Sequence, residues 1–181
     1  MNDICPMPGK FQLLLHQSIV RLEVPKNKVL LRPGQLCDHY YYIEKGILSC
    51  HEQEDDKEYC NWLMFPGNIA TAVESFNKRV PSRETIRAAT GCILHLLSWK
   101  HVQEFTDKQR AFARIRQVIT DDYHLQAREM DNRRKRPPEE FYEYLKELYG
   151  ENFPLIPRKL LAAHMGISEA TLYEIIKNSK R

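Results

Sequence analysis

The sequence predicts an α+β chain in three parts: an N-terminal jelly roll (a double-stranded β-helix), a long helix, and a winged-helix-like helix-turn-helix unit. Three observations predict it. Short alternating or apolar runs broken by turn formers fill the stretch from Ile19 to about Leu97, and no proline or glycine occurs from Lys100 to Asp131. Residues 158–177 then have the spacing of two short helices around a glycine. The expected boundaries are 1–99, 100–131 and 132–181.

Length and composition agree with this division. A chain of 181 residues with 43% hydrophobic residues can bury a sizeable core. No apolar run approaches the roughly 18 residues of a membrane span, and the N-terminus, with Asp3 and two early prolines, lacks the charged start and apolar centre of a signal peptide. The expectation is a cytoplasmic protein with no membrane partner. Cys5, Cys37, Cys50, Cys60 and Cys92 are scattered, without zinc or iron-sulfur spacing, and read as reduced structural thiols. His16, His39, His51, His95, His101, His124 and His164 are dispersed, and none forms the His-x-His pair that a metal-dependent enzyme on such a barrel needs. Neither a metal, a cofactor nor an enzymatic activity is expected.

In chain order, Ile19–Val24 alternates at period two and Pro25–Lys28 turns. Val29–Arg32 begins a second strand ended by Pro33-Gly34, and Tyr40–Ile43 forms a third. Glu44–Gly46 turns into Ile47–His51, the acidic Glu52–Asp56 run makes a hairpin tip, and Glu58–Met64 returns before Pro66-Gly67. A short helix fits Ala72–Phe76, and Glu84–Ala89 and Cys92–Leu97 close the barrel. Many short strands at this spacing predict a jelly roll.

Along the following helix Phe112, Ile115, Val118, Ile119 and Tyr123 lie close to one face, with Met130 resuming it. Such a stripe needs a surface to cover, either the barrel or the same helix of a second subunit. Arg133–Arg136 is a basic run, read as a solvated linker or a phosphate clamp, and Pro137-Pro138 starts another helix with Glu139 and Glu140 at its favourable end. That helix is expected to bury Phe141, Tyr142, Leu145 and Leu148, and Gly150 to end it.

In the final unit Leu161, Ala162 and Met165 form an inner stripe, Gly166 supplies the positive φ of the turn, and Ser168 caps a second helix that turns Leu172, Ile175 and Ile176 inward. All of the excess positive charge lies in residues 132–181, with 10 Lys+Arg against 7 Asp+Glu, which suits an encounter with phosphate. Ser168, Thr171 and Tyr173 are the candidate hydrogen-bonding contacts to DNA. Arg158, Lys159, Lys177, Lys180 and Arg181 are the candidates for backbone phosphates. The residues after this helix are too few for a full β wing.

The order of these parts resembles the Crp/Fnr family of bacterial transcription regulators. Pro33-Gly34-Gln35, Tyr41-Tyr42-Ile43, Lys45-Gly46 and Phe65-Pro66-Gly67 fall where that family has its barrel glycines and its aromatic or aliphatic strand. The resemblance implies a cyclic-nucleotide-binding-like effector barrel, a dimerisation helix on the Phe112–Tyr123 stripe, and a homodimer reading palindromic double-stranded DNA with recognition helices about 34 Å apart. Members that bind cyclic AMP use a glutamate after the glycine of Gly67-Asn68-Ile69 and an arginine in the run matching Pro81-Ser82-Arg83-Glu84. Here those positions hold Asn68 and Ser82, Arg83 falls one place late on the opposite strand face, and Glu84 repels phosphate. The pocket formed by Gly67, Asn68, Ser82, Arg83 and Glu84 is thus expected to be degenerate, taking another small-molecule effector or none. Glu169, Ala170 and Glu174 replace the arginines with which cyclic-AMP-responsive relatives read guanine. The alternative is a dimeric ligand-binding or protein-interaction module whose DNA reading has decayed.

Overall fold

A computed structural model describes residues 9–54 and 57–179; Cys5, Lys180, Arg181 and the expected hairpin tip at Asp55-Asp56 lie outside them. The expected strands are present as β1 (Val20–Val24), β2 (Val29–Leu31), β3 (His39–Lys45), β4 (Leu48–Glu54), β5 (Lys57–Met64), β7 (Glu84–Ala88) and β8 (Cys92–Ser98). Two elements escaped the sequence reading: a helix α1 (Gly9–Ser18) and a two-residue strand β6 (Ile69–Ala70). The short helix α2 spans Val73–Lys78. The strands form two antiparallel four-stranded sheets, β1-β8-β3-β6 and β2-β7-β4-β5.

Pairing explains the double burial of β3. Tyr41 opposite Leu96 and Ile43 opposite Leu94 share one face, whereas Tyr40 opposite Leu97 and Tyr42 opposite His95 share the other. Both Tyr40 and Tyr41 are nonetheless buried, because helices cover the outer face. The β3–β4 turn requires glycine: Gly46 has φ +93°, and a Cβ there would stand 2.5 Å from the Gly91 carbonyl oxygen.

The stretch expected as one helix is two, α3 (Trp99–Lys108) and α4 (Arg110–Arg134), separated by Gln109 in an extended conformation. Across the break Phe105 and Phe112 both lie in the barrel core with ring centroids 5.6 Å apart, closer than the roughly 10.5 Å rise between residues i and i+7 of a straight helix. Phe112 and Ile115 are buried there and Ile119 packs against them. Three residues of the stripe, Phe112, Ile115 and Ile119, therefore cover the barrel of their own chain, and Phe112 and Ile115 are not free for a second subunit. The resemblance favoured the partner because the spacing of apolar residues says that a face is covered, not what covers it.

Next come α5 (Pro138–Tyr149), a 3-10 segment (Gly150–Leu155), α6 (Arg158–Met165) and α7 (Glu169–Asn178). Leu148, expected inside, is 50% exposed. The inward row of α5 runs at intervals of four through Phe141, Leu145 and Tyr149, and Leu148 falls on its flank. These helices share a core with the barrel: Phe141, Leu145, Leu161, Met165, Leu172 and Ile175 pack in one cluster with Ile47, Cys60, Leu63 and Phe65.

Candidate functional site

The helix pair follows its expected local chemistry. Gly166 ends α6 with φ +71°, and the Ser168 hydroxyl accepts the Thr171 amide at 3.0 Å, capping α7. Leu172 and Ile175 are buried, so α7 presents Glu169, Ala170, Tyr173, Glu174 and Lys177 to solvent. The Ser168 and Thr171 hydroxyls lie 2.8 Å apart at the exposed N-terminus of α7. Tyr173 is 58% exposed, and Lys177 stands 3.9 Å from Glu174. Arg158 and Lys159 are exposed at the start of α6.

In the barrel, each residue of the expected pocket has a definite place. Asn68 closes its own turn, its side-chain oxygen accepting the Phe65 amide at 2.9 Å. Ser82 is buried, with its hydroxyl accepting the Glu84 amide at 3.0 Å, and Arg83 is exposed. Glu84 lies 3.4 Å from the Tyr123 hydroxyl, which donates to it. Burial raises the Glu84 carboxyl above the ordinary carboxylate range, against the lowering effect of the Cys50 thiol, and nearby Glu52 raises it further. The rings of Trp62 and Tyr123, 5.2 Å between centroids, stand across the middle of the space. On one side lies a 550 Å³ cavity touching Gly67, Asn68 and Ile119; on the other, a 990 Å³ crevice touching Ser82, Arg83 and Glu84. The expected pocket residues thus border two different spaces, and Trp62 and Tyr123, the latter assigned from the sequence to a dimer stripe, border both.

The crevice continues to the helix pair, whose Ala163, His164, Met165 and Gly166 form part of its wall. Here β5 is bulged, since Cys50 pairs with Trp62 and His51 with Cys60, which leaves Asn61 as the extra residue. The Cys60 carbonyl accepts from Nδ1 of His164 at 2.9 Å and from Arg134 of α4 at 3.1 Å, and the Asn61 carbonyl accepts from Arg134 at 3.0 Å. Because a carbonyl can only accept, Nδ1 carries the proton and Nε2 accepts from the Tyr149 hydroxyl at 2.8 Å. Full burial pulls His164 down to about 4, so the ring is neutral and both nitrogens are satisfied. Among the described residues, no three His, Cys, Asp or Glu side chains gather in a way that could hold a metal ion. Cys37, Cys50, Cys60 and Cys92 are free and buried, as expected of structural thiols.

Comparison with known proteins fits this arrangement. Residues 21–109 match the profile of the cyclic nucleotide-binding domain. FixK2 from Bradyrhizobium japonicum superposes with a TM-score of 0.78 at 12% identity, over 88% of this chain and 83% of that one. A transcriptional regulator of the crp/fnr family from Eubacterium rectale superposes with 0.74 at 12%, over 96% and 84%. The chain has the fold of these Crp/Fnr-type structures. CLP from Xanthomonas campestris, described as a c-di-GMP responsive global regulator, superposes with 0.72 at 20% identity, over 95% and 91%. No curated protein matches by sequence. No helix among the described residues is long and apolar enough to cross a membrane.

The sequence reading foresaw the helix pair, and it missed Trp62, Cys50, Tyr149, His164 and Arg134. His164 gave no local signal, because its partners lie 15 and 104 residues away. Arg134 stood inside a basic run that reads as solvated linker. Its bonds to β5 show that it is a structural tie.

Proposed function

We propose that the chain is a homodimeric, DNA-binding transcription regulator of the Crp/Fnr type, acting in the cytoplasm by binding rather than catalysis, with an effector other than cyclic AMP or none. The observation that carries this reading is the face of α7, capped and buried on one side and open to solvent on the other. In this reading residues 1–99 are the effector barrel, 100–131 the connecting segment and 132–181 the DNA-binding unit. Ser168, Thr171 and Tyr173 contact bases, while Arg158, Lys159 and Lys177, joined by Lys180 and Arg181, hold phosphates. Dimerisation uses the outer face of α4, where Val118 is only partly buried and Leu125, seven residues on, is 66% exposed.

Ser82, Glu84 and the Trp62–Tyr123 pair argue against a cyclic phosphate in the barrel. Adding cyclic AMP should therefore leave DNA affinity unchanged. Selection from random duplexes at low salt tests the reading, with enrichment of a two-fold symmetric motif expected. Failure to enrich any motif would overturn it in favour of a dimeric ligand-binding or protein-interaction module, the reading to which the exposed Glu169 and Glu174 point.

A further inference from the structure

The crevice between β5, α4 and the helix pair, at 990 Å³, lies at the upper end of the roughly 300–1,000 Å³ that small-molecule sites span. Its walls carry the charge opposite to what a cyclic phosphate requires. Glu52, Glu84 and Asp131 line it. Of its two arginines, Arg134 is committed to the Cys60 and Asn61 carbonyls and lies 3.7 Å from Asp131, whereas Arg83 is exposed to water. Glu84 is half-buried beside Glu52, and its side-chain partners among the described residues are the Tyr123 hydroxyl and the Cys50 thiol, with no cation paired to it. Next to it the rings of Trp62 and Tyr123 both border the crevice, and aromatic faces attract cations.

We infer that this crevice binds a small organic cation, an amidinium or alkylammonium group paired with Glu84 and Glu52 and resting on the Trp62 and Tyr123 rings. The inference rests on the regulator reading only for its meaning as an effector site. Ala163 to Gly166 line the same crevice, so its occupant shares a cavity with the helix pair.

Calorimetric titration of the full chain with benzamidine, benzamide and benzoate compares one shape in three charge states. Benzamidine should bind saturably, benzamide at least about tenfold more weakly, and benzoate, cyclic AMP and cyclic di-GMP not at all. Glu84→Gln should weaken benzamidine at least about tenfold while far-UV circular dichroism stays unchanged. Should that variant fail to fold, Glu52→Gln carries the test, expected to weaken benzamidine about threefold or more. No benzamidine binding, equal or tighter binding of benzoate or a cyclic nucleotide, or full benzamidine affinity in the glutamine variants would overturn the assignment. The titration contains no DNA, so a chain that binds benzamidine but selects no duplex refutes the regulator reading alone. A chain that selects a duplex but ignores benzamidine refutes the cation site alone.

Discussion

Acidifying the solution should undo the His164 clasp in a measurable way. The buried imidazole has been pulled from its ordinary 6.5 to about 4, so between those values the unfolded chain takes up a proton that the folded chain refuses. Stability supplied by the neutral ring is complete above about pH 6.5 and is lost as pH falls toward 4. At about 1.4 kcal/mol for each tenfold difference in proton affinity, the loss from pH 7 to pH 4.5 comes to about 2–3 kcal/mol. Burial also lowers His39 and His51, which act in the same direction, so the wild-type slope alone does not isolate His164. His164→Gln removes the titrating group and keeps a neutral side chain able to donate and accept. Urea unfolding followed by far-UV circular dichroism at half-unit steps from pH 7 to 4.5 should show the variant less stable at pH 7 but losing about 2–3 kcal/mol less on acidification. Parallel loss of stability in the two proteins would refute the reasoning.

Other outcomes follow from the same geometry. Tyr173→Ala should change the preferred duplex, whereas Lys177→Ala should weaken all duplexes together and reduce the salt slope by about 1; a Lys177 change that altered only preference would contradict the phosphate role. Gly46→Ala places a Cβ 2.5 Å from the Gly91 carbonyl oxygen at a positive φ and should cost roughly 3 kcal/mol or more, so an unchanged urea midpoint would show that the turn can relax. Leu145→Ala, at a fully buried position between barrel and helix pair, should cost about 2–5 kcal/mol. Ser168→Ala removes the α7 cap and should cost about 1 kcal/mol, read from the same unfolding curves.

Local chemistry made much of the fold readable. Pro33-Gly34, Gly46, Pro66-Gly67 and Gly166 mark turns through backbone geometry alone, and period-two runs between them give the strands. The split at Gln109 was invisible because Gln109 is no helix breaker; the chain bends there and brings the Phe105 and Phe112 rings within 5.6 Å of each other. The pocket was half legible. Ser82 and Asn68 betray the missing ligand contacts by position, yet the filling of the space by Trp62 and Tyr123 depends on α4 crossing β5, a tertiary fact. His164 and Arg134 were the least legible, since each satisfies carbonyls left free at the bulge of β5, an edge strand.

That bulge bears on how separable the parts of this chain are. Among the described residues β5 pairs only with β4, at the edge of its sheet, and the carbonyls of Cys60 and Asn61 are covered by α4 and α6 rather than by another strand. A barrel cut off before the helix pair would carry an open edge above the apolar Leu63 and Phe65, a surface on which copies of the fragment would associate. A foreign helix-turn-helix grafted onto this barrel would need a donor of its own where His164 stands. Exchange of modules, easy where domains meet only through a linker, is restricted here by two backbone oxygens.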